Sequence, residues 1–312
     1  MKVLLAGGSG ILGQRVRAAL TAEGHEVSGL GRGAANEVRA DLLDRDAVLR
    51  AVEGLEFDAV VHAATALSGK SLARHQEMTP TDELRLHGTP HLIEAARATG
   101  ARRFVAESMA FGYGYGDHGS DLITEDGPGS TPFGPAGTDA ARERHVAAMR
   151  VKEELTLRSE GIEGIALRFG LFYGPGVTDT AVLPLLRRRM LPAVPERGLL
   201  LSWVSVQDAA AAVAAALRSD RFGEAYNIVD DTPVSFGTHL RAVAEAFGAP
   251  RPMTVPLWLL KPAPLAHTIM TTQLRLSNAK ARDGLGWAPS HASGLDAVRE
   301  LAAAGRVSPA AA

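Results

Sequence analysis

Apolar and polar positions alternate between two periods along this chain, and the switches fall at glycines. Residues 2–6 (KVLLA) form a short, almost wholly apolar run, as a strand buried on both faces requires, and glycines follow at once. Residues 11–22 then place apolar side chains three and four apart, which predicts a helix stopped by Gly24. The same alternation predicts strands over 26–30, 59–63, 104–106, 165–168 and 225–229. It predicts helices over 44–52, 89–99, 140–159, 207–218, 235–247 and 277–284. Strands alternating with helices imply parallel strands joined by right-handed crossovers, hence an α/β fold with a doubly wound parallel sheet of Rossmann type.

The segment 112–137 is dense in Gly, Pro, Asp, Ser and Thr and reads as one long loop, a type that is usually functional or disordered. Residues 250–264 are apolar but broken by proline, and small residues from about 302 suggest a fraying end. The expected organisation is a sheet domain over 1–169, to which 202–229 return. A smaller C-terminal lobe is expected from 170–201 and 230–300, with 301–312 as a tail.

Composition narrows the picture. Among 312 residues, 46% are hydrophobic and 22% charged, which excludes wholesale disorder, and 33 basic against 35 acidic residues leave a net charge of -2. No basic face offers itself to a phosphate backbone, so nucleic acid is not an expected partner. Zero cysteines remove disulfides, thiolate metal sites and cysteine nucleophiles, and suit a reducing, cytoplasmic location. The opening MKVLLAGGSGILG is interrupted by glycine too early for a signal-peptide core. The apolar stretch 255–270 carries Pro256, Lys261, Pro262, Pro264 and His267, so no membrane span is expected.

Gly7, Gly10 and Gly13 stand between the first strand and the first helix. A dinucleotide pyrophosphate needs a tight turn, a backbone free of side chains and a helix N-terminus aimed at its charge. Gly7, Ser9, Gly10, Ile11, Leu12 and Gly13 are therefore candidate cofactor contacts. At the end of the second strand, where an NAD-binding site places an acid, this chain has Gly31 followed by Arg32, which suits a 2′-phosphate and favours NADP (NADPH) over NAD. Asp41 and Leu42 are candidates for the adenine end, Asp41 having helix entry as its alternative role. His87 and His91 are four apart, but no third ligand stands at motif spacing, so no metal is expected.

With these residues in place the chain resembles the short-chain dehydrogenase/reductase superfamily, in its extended and atypical NAD(P)-dependent epimerase/dehydratase branch. GGSGILG resembles the family's glycine turn, ADLLD its adenine contact, and VVHAAT, with Ala63 and Ala64, the strand that lines the cofactor. LRFGLFYGPG, WVSVQDAAAAVAAAL and LSNAKARDGLGWAP resemble its later segments, so the likeness reaches about Arg299.

The resemblance implies a Ser or Thr, a Tyr and a Lys, the last two in Tyr-x-x-x-Lys, because hydride transfer to a carbonyl leaves an alkoxide that must take a proton. None of Tyr113, Tyr115, Tyr173 and Tyr226 stands four residues before a lysine. Lys152 has Ala148 in the tyrosine slot; in the alternative register Arg150 and Val146 take the two places. Lys152 remains a candidate for the nicotinamide ribose. Met109 falls where the hydroxyl is expected, beside Glu107 and Ser108, and Arg85 replaces the family's asparagine.

Tyr113, His145 and Tyr173 are the candidate substitute acids, each with a packing or surface alternative. Glu107 is expected to pair with Arg168, with a role as an acid or base of raised pKa as the alternative. Leu257, Trp258, Leu259, Leu260 and Ile269 suggest an apolar pocket or a lobe core. The function expected is an NADP(H)-dependent oxidoreductase acting on an alcohol or ketone of a small, apolar or sugar-like metabolite. A non-catalytic NADP-binding sensor or scaffold, or an isomerase, epimerase or lyase, stands as the alternative. The expected partner is a small-molecule substrate, and a homodimer is left open.

Overall fold

A computed structural model describes residues 1–67, 73–126, 140–195 and 199–307. The chain begins with β1 (Lys2–Ala6), α1 (Ile11–Ala22), β2 (Glu26–Gly31), β3 (Val38–Arg39), α2 (Arg45–Val52) and β4 (Ala59–His62). It continues with α3 (Thr79–Glu83), a wide turn Leu84–Gly88, α4 (Thr89–Ala98), β5 (Arg103–Met109), α5 (Ala140–Arg158) and β6 (Glu163–Phe169). Then follow β7 (Leu171–Tyr173), α6 (Leu183–Arg187), β8 (Trp203–Ser205), α7 (Val206–Arg218), β9 (Glu224–Ile228), α8 (Phe236–Ala246), α9 (Pro264–Met270), α10 (Ala279–Leu285) and α11 (Gly294–Val307).

Seven strands form one parallel sheet in the order β3-β2-β1-β4-β5-β6-β9. The chain winds outward in one direction from β1 to β3 and in the other from β4 to β9. The crevice at the carboxyl ends of β1 and β4 is the switch point where such sheets take a ligand. Successive residues of the inner strands serve opposite faces. Val3, Leu5, Ala59, Val61 and Val105 pack in one layer with α1 and the alanines of α7. Leu4, Ala6, Val60, Phe104 and Ala106 pack in the other with α2 and α4. Burial on both faces explains why these strands read as continuous apolar runs.

A third cluster brings Tyr173, Leu201, Trp203, Val243 and Val298 of the later segments together with Phe111, Tyr113 and Met149. β7 and β8 pair in parallel beside the large sheet, Leu171 opposite Trp203. Residues 202–229 therefore divide: β8 joins the small sheet, while α7 and β9 return to the large one.

Four segments add to the sequence reading or depart from it. The path from Thr79 to Gly88, for which the pattern predicts no element, is helical, and Pro80 and Pro90 stand in the first turns of α3 and α4, where proline is tolerated. Of the expected loop 112–137, residues 114–126 carry no helix and bridge to the lobe through Asp117 opposite Gln273 and Ile123 opposite Leu276. Residues 127–137 lie outside the described part. The stretch 250–264 contains a short turn, Leu257–Leu260, before α9. The tail expected to fray from 302 is helix as far as Val307, because Val298 and Ala302, one turn apart, are buried in the lobe core.

Candidate cofactor and substrate site

The glycine turn is built by backbone contact. Gly7 has φ +88°, and a Cβ there would lie 2.6 Å from the Ala63 carbonyl and the Ala64 Cα. A Cβ on Gly13 would fall onto the Gly7 carbonyl oxygen, so α1 and β1 approach as closely as they do only with glycine at both places. Gly10 caps α1 with extended backbone and no side-chain hydrogen bond, and a Cβ there would meet only the Gly7 oxygen, at 3.4 Å. The first-turn N–H groups of Ile11, Leu12 and Gly13 thus stand at an open helix N-terminus, as a pyrophosphate requires. Ser9 lies on the exposed side of the turn and lines the cavity.

That cavity, about 330 Å³, continues from Gly7 and Ser9 past Leu30, Gly31 and Arg32 to Asp41 and Leu42, with Ala64 and Thr65 on its other wall. Arg32 follows the last residue of β2, its side chain is 79% exposed, and its guanidinium stands 3.8 Å from the Asp41 carboxylate. Asp41 accepts from the Leu43 N–H, and the Leu42 carbonyl accepts from His91 Nδ1 at 2.7 Å. His91 therefore supports the end of the cavity lined by Asp41 and Leu42, while His87 pairs with Glu83. Among the described residues no group of three His, Asp or Glu is placed to hold a metal ion.

Lys152 is the α5 cation turned into the sheet. Its Nζ donates to Glu107 Oε2 at 2.9 Å and to the His62 carbonyl at 3.3 Å, with both side chains of the ion pair buried. The expected pairing of Glu107 with Arg168 is thus corrected: Glu107 points to α5 at Lys152, and Arg168 forks onto Glu153 at 2.7 to 3.1 Å. Burial works against the Glu107 charge, but Lys152 and, more remotely, Arg85 hold its carboxyl below the ordinary range. His62 is kept neutral, its pKa well below normal through burial and then through the charges of Lys152 and Arg85. Thr89 Oγ1 donates to the Arg85 carbonyl, which leaves its oxygen to accept from His62 Nε2. Ala148, four residues before Lys152, is buried and offers no hydroxyl.

The three candidate acids lie in buried networks. Tyr113 accepts from Arg168 Nη1 at 2.8 Å and donates to Asn227 Oδ1 at 2.9 Å, and burial pushes its phenol up to about 12. Ser108 donates to Glu153, which closes the same cluster. Tyr173 donates to Asp230 Oδ2 at 2.9 Å; burial and the neighbouring carboxylates Asp230 and Asp208 raise its pKa. His145 is buried with both ring nitrogens engaged, Nδ1 with Asp82 Oδ2 at 2.6 Å and Nε2 with His75 Nδ1 at 3.0 Å. Asp82 also pairs with Arg85 at 3.2 Å.

Sequence reasoning missed His75 and Asp82, whose one visible signal is the Asp82 to Arg85 spacing of three on a helix. The apolar residues of the lobe divide. Leu260 packs with Val194 and Met270, Ile269 is half-buried, and Trp258 and Leu259 stand exposed. α9 is tied to the β4–α3 connection by the Leu265 N–H, which donates to the Ala73 carbonyl at 2.9 Å.

Comparison with known proteins places this geometry among relatives. The sequence pattern of the NAD dependent epimerase/dehydratase family matches residues 3–229. A Streptomyces protein named 3-diazoavenalumate denitrifying reductase is 38% identical over 315 residues, covering 96% of this chain and 99% of that one. The 2-alkyl-3-oxoalkanoate reductase of Stenotrophomonas maltophilia is 29% identical over 271 residues, covering 80% of this chain and 77% of its own. UDP-glucose 4-epimerase of Thermus thermophilus, solved with NAD, superposes with a TM-score of 0.72 at 25% identity, covering 99% of this chain and all of that one. The human epimerase family protein SDR39U1, solved with NADPH, superposes with a TM-score of 0.78 at 18% identity, covering 97% and 99%.

Proposed function

The chain belongs to the NAD dependent epimerase/dehydratase family, and from that membership we propose that it is an NADP(H)-dependent reductase whose acceptor is an aromatic diazo acid. The observation that carries this reading is that Ala148 is buried and offers no hydroxyl, four residues before Lys152, the spacing at which the family resemblance implies a tyrosine.

A ketone that accepts hydride leaves an oxyanion, and near neutral pH that anion needs a positioned acid. An aryldiazonium group makes no such demand. The incoming electron pair forms a C–H bond, dinitrogen departs with the pair of the broken C–N bond, and no proton enters the balance. NADPH, when bound, would supply the hydride.

The chain's own residues suit this chemistry. Gly10 leaves the pyrophosphate its space, Gly7 and Gly13 permit the close backbone approach that forms the turn, and Arg32 with Gly31 favours the 2′-phosphate over a bare ribose. Glu107 cancels the Lys152 charge, so a cationic diazonium is not repelled as it would be by a bare ammonium. The relative named 3-diazoavenalumate denitrifying reductase supports the same substrate class. It and the 2-alkyl-3-oxoalkanoate reductase are both named for carboxylate substrates, which supports an acidic acceptor here.

Reduction of a ketone on a small apolar molecule is the second reading, favoured by the 3-oxoalkanoate named in the second relative. It requires a proton donor other than a tyrosine at the Ala148 position.

The test is incubation with NADPH and diazotised 4-aminobenzoate, following NADPH absorbance and product against a protein-free control. One benzoate per NADPH consumed is expected. Turnover of a ketone panel with no acceleration of diazo loss would overturn the first reading in favour of the second.

A further inference from the structure

Three neighbouring segments of the C-terminal lobe carry apolar and basic side chains that the fold itself does not use. The segments around Ala193 and Thr254 are joined by the Ala193 N–H, which donates to the Met253 carbonyl, and the Val255 N–H, which donates to the Ala193 carbonyl, each at 2.9 Å. The turn Leu257–Leu260 closes on them, because Leu260 packs with Val194 and Met270, and Val255 and Leu257 lie against that cluster. These side chains face inward. On the outer side of the same segments Met190, Met253, Trp258 and Leu259 stay 64%, 55%, 63% and 47% exposed. Four such side chains on adjoining segments form a patch, unlike the single apolar residues scattered over an ordinary surface.

The end of α6 keeps Met190 in that outer position. The Met190 N–H donates to the Leu185 carbonyl and the Arg189 N–H to the Leu186 carbonyl, both at 2.9 Å, which are the paired bonds of a Schellman cap. Arg189 takes the left-handed place of the cap at φ +58°, where glycine is the unstrained choice. The next residue of such a cap commonly folds back onto its helix, whereas Met190 is the most exposed large apolar residue among those described. Positive charge flanks the patch. From Leu183 to Pro195 and from Arg251 to Pro264 the chain has four arginines and one lysine and no Asp or Glu. Arg187, Arg188, Arg189, Arg251 and Lys261 are all exposed. Arginines on other faces are matched, Arg218 by Glu23 and Arg282 by Asp231, but none of these five cations has an ion pair among the described residues.

We propose that this face seats the protein on an anionic lipid surface, with Trp258, Leu259, Met253 and Met190 entering the headgroup boundary and the five cations lying against lipid phosphates. Tryptophan and long aliphatic side chains set among Lys and Arg suit that boundary, which is apolar below and negatively charged above. A bilayer yields to side chains that project, whereas a protein partner must offer a shaped groove to receive them. Pairing with a second copy through the same face would set the five cations against themselves with no acid between them. The docking is peripheral, needs no spanning segment, and does not depend on which acceptor the protein reduces.

The experiment is partition of the full chain onto vesicles of phosphatidylcholine alone and of phosphatidylcholine with phosphatidylglycerol in equal parts, followed by co-sedimentation and tryptophan emission. Of the three tryptophans, Trp203 and Trp287 are each 4% exposed, so a blue shift on binding reports Trp258. Wild type is expected to bind the mixed vesicles with a blue shift, to bind phosphatidylcholine far less, and to be largely released at about 1 M salt. Arg187→Ala with Arg188→Ala should weaken partition about twentyfold, which is about fivefold for each cation removed. Trp258→Ser should weaken it as well, and both variants should melt at the wild-type temperature because the altered side chains are exposed. Brominated acyl chains should quench the wild-type emission, which reads insertion without any variant. No binding to mixed vesicles, equal binding to both kinds, or undiminished binding by the arginine variant would overturn the proposal. A blue shift produced by poly-L-glutamate and not by vesicles would assign the face to an acidic protein, and one that grows with protein concentration alone would assign it to a second copy; either result also overturns lipid docking.

Discussion

Lys152 Nζ stands 2.9 Å from Glu107 Oε2, and the two side chains are 1% and 5% exposed. Lys152 is thus locked to a carboxylate on the neighbouring strand. Removing one partner leaves a buried charge without compensation, which costs about 3 to 5 kcal/mol. Glu107→Gln should therefore lower the urea midpoint sharply, and Glu107→Leu combined with Lys152→Met should recover most of the loss. The Glu107 carboxyl is held below its ordinary range in the fold. Its contribution is thus present above the unfolded-state pKa and is lost as pH falls through the folded one. Urea titrations down to about pH 3 should show a shallower acid decline in Glu107→Gln than in wild type; parallel declines would contradict the assignment.

Gly10 and Gly13 separate cofactor binding from folding. A Cβ on Gly10 meets only the Gly7 oxygen, at 3.4 Å, so Gly10→Val should fold. Its branched side chain then fills the space in front of the α1 N-terminus, and NADPH binding should be abolished. Gly13→Ala drives its methyl onto the Gly7 carbonyl and to 2.8 Å from the Gly8 Cα, so the expected loss is of stability itself. Thermal melts and NADPH fluorescence titration on the two variants give opposite patterns. A folded Gly10→Val that still binds NADPH with wild-type affinity would refute this placement of the phosphates.

Most of the sheet is legible in the sequence because strands buried on both faces, such as Lys2–Ala6 and Ala59–His62, have nowhere to put polar side chains. The glycine turn is legible for a similar reason: the spacing of Gly7, Gly10 and Gly13 is imposed by local backbone geometry. The networks behind the site are not. Nothing in the sequence joins His75 to His145, 70 residues apart, or Glu107 to Lys152, 45 apart, since either carboxylate or cation has several partners of equal chemistry until the packing of α5 on β5 selects one. α11 escaped for another reason. Its Gly294 start and alanine-rich end look like an unstructured tail, and only the groove that takes Val298 and Ala302 makes it a helix.

Arg32 carries the expected cofactor preference. It follows Gly31, where an NAD-binding site would carry an acidic side chain, and it is exposed on the cavity rim, 3.8 Å from Asp41. A phosphate would compete well for that guanidinium. Arg32→Ala should weaken NADPH binding about tenfold, toward the low end for a charge-assisted contact because the site is solvated, and should leave NADH nearly unchanged. Paired titrations of wild type and variant with NADPH and NADH measure this directly; equal affinities in wild type would end the argument.

Asp230 should make the lobe's stability fall as pH rises. Burial, with the charges of Asp208 and Asp231 adding to it, pushes its carboxyl up to about 8 against the opposing hydrogen bond from Tyr173, and Oδ1 is buried with no hydrogen-bonding partner among the described residues. The folded chain thus keeps a proton that the unfolded chain gives up near pH 4. Between those values the unfolded state binds fewer protons, so the slope of stability against pH is negative. The contribution is whole below about pH 4 and is lost as pH climbs to about 8, at no more than about 1.4 kcal/mol per pH unit. Asp230→Asn keeps the shape and removes the titration, so its urea midpoint should change less between pH 5 and pH 8 than that of wild type. Tyr173→Phe deletes the hydrogen bond that favours the carboxylate, and its decline should reach to higher pH. If wild type and Asp230→Asn lose stability in parallel across that range, Asp230 is ionised in the fold and the buried proton is excluded.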